Sequence, residues 1–464
     1  MPKDLRSYLA ELSELGPSQC VEVDREVDRI FQLPGIARAL QEEGRYPAVL
    51  YNKVKGSPMR AVTNLVANRR QLALALGTTE EQMLPDYLER EDAREPVKVV
   101  PTGPVKDVRM IGDEVDLDVV PIVWNCELDS GPFISGSQVV VKDPDTGVYN
   151  VGIFRMMVHS KNQLGIAFEK HADTHHILRK AEARNQPLEV IVFVGHHPAT
   201  LLGSQTKTPM DVDSYEVIGG LLQEPFEVTP AETVDLMVPA WAEVVIEGKI
   251  PPHVRKTEAP YGEYTWYYGL DRESPVVDVS AITYRKDAIY HHLFAAHPEH
   301  NLCAVLGREA KVWKTVKPLV PSLKAVNMPI SGLCRFTAYV AIKKEFDGQG
   351  KTAALATLAS DPFIKLAVIV DDDVDVSSDR AVLWAIATRT QADKATFFVQ
   401  DAVVSRLDAA AYSIWNRVEK DSLNTKWAID ATRPVEAPFE EWADVPEHAW
   451  RDLDLGQWVK GWAD

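Results

Sequence analysis

The spacing of apolar positions changes character twice along this chain. At the N-terminus Leu5, Leu9 and Leu12 recur at helical spacing, which predicts an amphipathic helix ending near Gly16. Apolar runs at Cys20–Val23 and Ala48–Tyr51 predict strands, and Val62–Val66 is a further apolar stretch. The acidic, polar segment Thr79–Glu95 reads as a helix followed by a linker. Beyond Pro96, Pro101 and Pro104 the pattern becomes strand-rich. β-Branched runs at Gln138–Lys142, Tyr149–Met157, Leu188–Val194, Trp241–Ile246 and Val276–Tyr284 are interrupted notably by the helical stretches His175–Arg184 and Asp213–Gln223. That density of strands predicts a β-barrel or β-sandwich core rather than a doubly wound sheet. After residue 310 helix and strand alternate again, with helices at Val312–Val320 and Gln349–Leu358 and strands at Tyr339–Lys343, Lys365–Val370 and Thr396–Val399. The expected organisation is α+β: an N-terminal α/β region (1–100), a strand-rich middle domain (101–308), a C-terminal α/β domain (309–440) and a tail (441–464). The tail carries Trp442, Trp450, Trp458 and Trp462, which suit packing on a neighbouring subunit or on the chain itself.

Composition narrows the function classes. With 50 Lys and Arg against 68 Asp and Glu, the 464-residue chain has a formal charge of −18. Phosphate contacts need clustered cations, which argues against a nucleic-acid partner and against a polybasic membrane surface. The four cysteines, Cys20, Cys126, Cys303 and Cys334, form no CxxC pair, and their scarcity suits a reducing cytoplasm. No signal-peptide pattern opens the chain, and no apolar run approaches the ~18 residues of a membrane span. The expected location is cytoplasmic.

Some motifs imitate chemistry. Gly348-Gln349-Gly350-Lys351-Thr352 resembles the end of a phosphate-binding loop, but the position needing the first glycine is Glu345, whose carboxylate repels phosphate. The run Asp371-Asp372-Asp373-Val374-Asp375 offers oxygens to a divalent metal, yet its place after an apolar strand favours a solvated strand end. His171, His175 and His176 form an HxxxHH cluster; spacing of four puts two imidazoles on one helix face, though most histidines are not ligands. His196-His197, before a proline, reads as a turn.

A different pattern carries more. Glu258 and Glu263 stand five apart with Pro260 and Gly262 between them, which is loop chemistry. Two carboxylates in one pocket drive each other's pKa apart, leaving one acid and one base; a turn with two solvated glutamates gives the same spacing. Arg155 sits amid apolar neighbours in a strand-like segment. If buried it needs an anion such as Glu258, Glu263 or a substrate carboxylate; on a strand's outer face it needs none.

The order and spacing of Asn150–Arg155 (NVGIFR), Val238–Glu243 (VPAWAE), Glu258–Glu263 (EAPYGE), Asp287–Tyr290 (DAIY) and Ala367–Val374 (AVIVDDDV) resemble the UbiD family of reversible decarboxylases, over most of the chain. The resemblance implies prenylated FMN as cofactor, supplied by a flavin prenyltransferase. It implies a split β-barrel flavin-binding core between the two α/β parts, and homodimers or homohexamers joined through the C-terminal domain. Residue by residue, it implies that Glu263 protonates the substrate carbon after CO2 leaves, Arg155 orients the carboxylate and Glu258 holds Arg155. It places Ile153, Phe154, Arg155, Ala167, Phe168 and Glu169 along the cofactor. Asn150 and His171 match ligands of Mn2+ or another divalent ion at the flavin phosphate, with His175 or His176 as alternatives to His171 and K+ as a further cation. A third ligand, a glutamate, is expected where this chain has Ser214, leaving Asp213 or Glu216 to replace it.

The implied activity is reversible, non-oxidative decarboxylation through a covalent adduct of substrate and flavin. His297, Arg308 and Asn327, with His291, His292, His300 and Arg335 nearby, predict a polar, cationic substrate site. That suits a furan- or pyrrole-carboxylate, such as furan-2,5-dicarboxylate, better than a cinnamate. Phenolic acids (4-hydroxybenzoate, protocatechuate or a ubiquinone precursor) are the alternative substrates. Two other classes stand beside this one. A flavin-binding carboxylase subunit without its own turnover is disfavoured by the intact Arg155, Glu258 and Glu263 set. A metal-dependent hydrolase built on the histidine cluster lacks a paired nucleophile.

Overall fold

Asp4 starts the first helix, Leu5–Glu14, through a capping box: its carboxylate accepts the Ser7 amide at 2.9 Å, and Ser7 Oγ accepts the Asp4 amide at 3.1 Å. The helix buries Leu5, Tyr8, Leu9 and Leu12 beside a four-stranded sheet. In that sheet Cys20–Val23 pairs parallel with Ala48–Tyr51, which pairs antiparallel with Arg60–Thr63. The fourth strand, Ile289–His291, comes from far along the chain and ties the N-terminal region to the middle of the molecule. The computed structural model describes residues 2–169, 172–269, 272–405, 407–411 and 423–460.

The middle is one large sheet. Its hydrogen-bonded path runs Phe133–Ile134, Met156–Ser160, Gln163–Ile166, Arg272–Tyr284, Val244–Ile250, Leu188–Val194, Gln138–Lys142 and Tyr149–Ile153, with Arg255–Glu258 and Val108–Ile111 added on Arg272–Tyr284. Side chains alternate across a strand. Val190, Val192 and Val194 therefore enter one core, while Ile191 and Phe193 enter the other. Covering both faces explains why these strands read as unbroken apolar runs. The two ends of the path are joined by short links: residues 135–137 lead from Phe133–Ile134 into Gln138–Lys142, and Phe154-Arg155 lead from Tyr149–Ile153 into Met156–Ser160. A residue spans at most ~3.6 Å, so these links hold the sheet's two ends side by side. Among the described residues no ladder closes the gap between them.

The sequence predicts one strand over Tyr149–Met157, but the structure breaks it at Phe154-Arg155. Ser137 Oγ donates to the Phe154 carbonyl, and Arg155 leaves the ladder to reach Glu258. The buried charge decides the local backbone: pairing Arg155 outweighs two ladder positions.

The C-terminal part is a mixed five-stranded sheet ordered Leu323–Asn327, Thr337–Ile342, Leu366–Asp371, Leu423–Ala431, Thr396–Val403, whose three central strands run parallel. Helices Val305–Val316, Gln349–Ser360 and Asp379–Arg389 accompany it. The whole is a mixed α and β protein, and among the described residues no helix is long and apolar enough to cross a membrane. The loop-like glycine motif is a helix start with the Asp430 carboxylate packed against Gly350, a poor neighbour for phosphate. The aspartate run is paired: Asp371 and Asp373 both bind Arg389, at 2.9 and 2.8 Å.

Candidate active site

The break at Phe154-Arg155 opens onto a cavity of 560 Å3 lined by parts of the middle and C-terminal regions. Arg155 Nε donates to Glu258 Oε1 at 2.8 Å, and its Nη1 contacts Glu263 Oε1. Its guanidinium lies 4.8 Å over the ring of Tyr261. Glu258 ends the strand Arg255–Glu258, directly opposite Arg272 in the antiparallel register. Its second oxygen accepts from Ser274 Oγ at 3.0 Å and Arg272 Nε at 3.3 Å. Glu258 is fully buried, and burial opposes its ionisation; Arg155, Arg272 and Ser274 outweigh that and hold its pKa below the usual carboxylate range. Glu258 is therefore a fixed anion behind Arg155, and Glu263 is the carboxylate that faces the cavity.

The loop carrying Glu263 is clamped from below. Asp129 Oδ1 accepts the Gly262 amide at 2.7 Å. A Cβ at Gly262 would meet Cys126 Sγ at 2.7 Å, so only glycine lets the loop lie this close. Tyr264, next to Glu263, bonds Ser405 Oγ at 2.8 Å and stacks under Arg335, whose guanidinium is 4.4 Å from the ring. The loop carrying Glu263 and the C-terminal part of the chain are thus physically joined.

The far wall is cationic. Arg308 pairs with Asp361 at 2.6 Å, with both side chains buried. Arg335 is equally buried, but its partners are neutral: Asn301 Oδ1 at 2.7 Å and the Leu333 and His300 carbonyls at 3.4 Å. No described carboxylate forms a salt bridge with it. Burial, then Arg308, pulls its pKa below the ordinary arginine value. Lys311 and Lys207 also line this cavity. Lys207 has an exposed side chain and forms no hydrogen bond or ion pair with a described residue.

The expected residues divide. Asn150, Ile153, Phe154, Arg155, Ala167, Glu169, Glu263 and Arg308 line the cavity, with Glu258 immediately behind. Phe168 turns away and meets Phe154 edge-on at 4.9 Å. His297 is outside the lining; its ring stacks on Phe294 at 5.5 Å, and burial pushes its pKa down to about 4. Asn327 is also outside: it donates to the Val376 carbonyl at 2.7 Å and accepts from Arg69, a structural role in the C-terminal sheet. His292 is spoken for by Asn125 and Ser135, and His291 by Glu299. His171 lies outside the described residues. His300, which does line the cavity, is pushed to about 3 by burial and Arg335.

Around Asn150 the polar groups are already engaged. Thr174 Oγ1 donates to Asn150 Oδ1 at 2.7 Å, and Ser214 Oγ accepts the Val151 amide at 3.1 Å. Asp213 caps the helix Ser214–Leu222, accepting the amides of Tyr215 and Tyr149. Glu216 is two residues past Ser214, about 200° round the helix, and does not line the cavity. Sequence reasoning missed Lys207, Arg272, Asp361 and Tyr264. Only the pairing register, which sets Arg272 against Glu258, would have exposed one of them.

Comparison with known proteins agrees with this geometry. The N-terminal, Rift-related and C-terminal domain models of 3-octaprenyl-4-hydroxybenzoate carboxy-lyase (UbiD) match residues 16–91, 97–298 and 301–431. An anhydromevalonate phosphate decarboxylase of Methanothermobacter thermautotrophicus is 34% identical over 93% of this chain and 97% of its own length. The UbiD-class enzyme HmfF from Pelotomaculum thermopropionicum, solved with FMN, superposes with a TM-score of 0.91 at 36% identity, covering 98% of this chain and 100% of that one. The 3,4-dihydroxybenzoic acid decarboxylase AroY of Klebsiella pneumoniae gives 0.86 at 27% identity, over 96% and 98%. The chain belongs to the UbiD family. It is a carboxy-lyase.

Proposed function

We propose that this protein decarboxylates a small heteroaromatic acid carrying a second anionic group, with prenylated FMN held in the slot at Phe154-Arg155. The observation that supports this most is Arg335, a buried cation on the cavity wall with no carboxylate partner among the described residues. An uncompensated buried charge is costly, so the site favours a ligand that brings the missing anion. A furan-2,5-dicarboxylate leads this class, and pyrrole acids follow. The phosphate-bearing acid named for the archaeal relative is a second reading favoured by the same cations.

A flavin fits the residues present. The 560 Å3 cavity is of ligand size, and the two sheet ends beside it read as the edges of a split barrel. Ile153–Arg155 and Ala167 supply backbone along it. The modified flavin, when bound, supplies the electron sink that no side chain offers to the breaking C–C bond. The chain's residues do the rest. Arg155, held by Glu258, orients the departing carboxylate. Glu263, with one oxygen held by Arg155, delivers a proton from its other oxygen to the substrate carbon. Tyr261, Tyr264 and Phe363 wall the pocket and exclude water.

The test is a mass spectrum of the small molecule released from protein co-produced with a flavin prenyltransferase, followed by CO2 release from a panel of mono- and diacids. Prenylated FMN and a preference for diacids are expected. Folded protein that releases plain FMN or nothing would point to a non-catalytic flavin-binding subunit. Equal rates with benzoate-type monoacids would put the phenolic acids ahead of the furan and pyrrole acids.

A further inference from the structure

We infer that Asp129 is a positioning residue for the proton donor: through the turn 124–130 it fixes the backbone that carries Glu263. The inference rests on the decarboxylase reading above. It begins with how Glu263 is held. Arg155 steadies its carboxylate, but a side chain is placed no better than its backbone. The loop around it is bonded to itself. The Glu263 amide donates to the Tyr267 carbonyl at 2.9 Å, the Trp266 amide to the Glu263 carbonyl at 3.0 Å, and the Gly269 amide to the Tyr261 carbonyl at 2.9 Å. Such a loop shifts as one piece, so its seat decides where the donor oxygen lies.

The seat is the turn 124–130, far away in sequence, which grips the loop on both sides of Glu263. On one side the Ser130 amide donates to the Pro260 carbonyl at 3.0 Å, and on the other the Leu128 amide donates to the Tyr268 hydroxyl at 3.1 Å. Between them Cys126 Sγ lies against the bare Cα of Gly262. Asp129 joins the two pieces. One oxygen accepts the Gly262 amide at 2.7 Å, and the other accepts the Cys126 amide at 3.0 Å. A single buried carboxylate thus closes the turn and holds the residue next to the donor. Burial raises its pKa, while the Gly262 and Cys126 amides, then Arg155, oppose that rise. Two amides on two oxygens call for the ionised form, since an acid would aim its proton at one of them. Asparagine has the same shape and would set a donor against a donor.

The role has a kinetic signature. In the cleavage step the bonding pair passes to the electron sink and CO2 departs; Glu263 enters only afterwards, with its proton. A displaced Glu263 therefore slows net turnover and leaves cleavage and its reversal in place. The experiment uses the full chain co-produced with a flavin prenyltransferase, and the acid of the panel above that it decarboxylates fastest. Net CO2 release is compared with exchange of isotopically labelled CO2 into the carboxylate of that acid, which needs no proton. Asp129→Asn, at unchanged flavin content, should lower net release roughly 10- to 100-fold, with exchange and KM changed less than about 2-fold. Gly262→Ala disturbs the same seat from the loop side, because its Cβ would meet Cys126 Sγ at 2.7 Å. It should show the same split, and Cys126→Ala in the same chain should return most of the net rate; this pair decides the matter where Asp129→Asn does not fold. Exchange that falls in step with net release overturns the inference, since the pocket and not the donor is then disturbed. Net release unaltered by Asp129→Asn overturns it as well, and either result leaves the decarboxylase reading intact. A parent chain that carries flavin yet releases CO2 from no acid of the panel overturns both.

Discussion

Two arginines, Arg155 and Arg335, border one cavity and are held in opposite ways. Arg155 has two carboxylates, Glu258 and Glu263. Arg335 is as deeply buried and, among the described residues, bonds only an amide oxygen and two carbonyls. Both sit on a tyrosine ring, Tyr261 and Tyr264, from the same loop. On the proposed function, the difference separates permanent machinery from a vacancy for a ligand. A charge that must stay in place through every turnover is neutralised by the chain itself. A charge that must recognise something is left for that something to neutralise.

The two halves should come apart first in acid. In the segment that leads into the Arg335 partners His300 and Asn301, burial pushes His292, His297 and His300 to about 3, 4 and 3. Their folded pKa values lie below that of the unfolded chain, so below pH 6.5 the unfolded state binds protons the folded state refuses. Stability should fall by about 4 kcal/mol per pH unit from these three groups as pH drops from 6.5 toward 4. Glu258 is depressed in the other sense of charge. Its contribution is present above its unfolded value and is lost only as pH falls below 4.5 through its folded pKa. Hydrogen exchange against pH should open the His300 side first; simultaneous opening of both would erase the distinction.

On the paired side, Glu263→Gln should lower kcat by about 10³-fold with flavin still bound, because it removes a proton donor without removing volume. Full activity in this variant would defeat the assignment of roles around Arg155. On the other side, Asp361→Asn leaves Arg308 in the state Arg335 already occupies. We expect a loss of about 3–5 kcal/mol in the free protein by chemical denaturation. A bound diacid should return part of that loss, and a monoacid should not.

The paired half was the legible one. Glu258, Glu263 and Arg155 were visible because their neighbours, Pro260, Gly262 and the apolar run around Arg155, make charged residues conspicuous. The break in the strand at Phe154-Arg155 was not, since periodicity sees apolar faces and not a partner 103 residues away. In the cationic half the sequence offered His297, Arg308 and Asn327, with His291, His292, His300 and Arg335 nearby, and of these Arg308, His300 and Arg335 line the cavity. His297 and Asn327 point into packing, a matter of which helix face and which strand register they occupy. The strand Leu423–Ala431 escaped notice for a related reason. It carries a buried Lys426, which donates to the Leu358 and Asp361 carbonyls at 3.1 and 3.2 Å and breaks the apolar pattern that marks a central strand.

Truncating the vacant cation should act on binding more than on chemistry. Arg335→Met removes the charge and keeps the packing against Tyr264. KM for a diacid should rise about 10- to 100-fold, matching the loss of one charge-assisted contact, while kcat and the KM of a monoacid change little. An equal rise for both substrates would mean that Arg335 supports the pocket without reading the second acid.

The smallest effect is the most discriminating. Arg335→Lys keeps a point charge where no fixed carboxylate demands a planar fork, so KM for a diacid should rise only about 3-fold. Arg155→Lys faces a different geometry. Arg155 spans two carboxylates and a ring face at once, and a single ammonium reaches fewer of them. Its loss in kcat should approach that of Glu263→Gln. If lysine instead proves equally tolerated at both positions, charge alone matters in both halves, and the contrast between a clamped and a vacant arginine has no functional content.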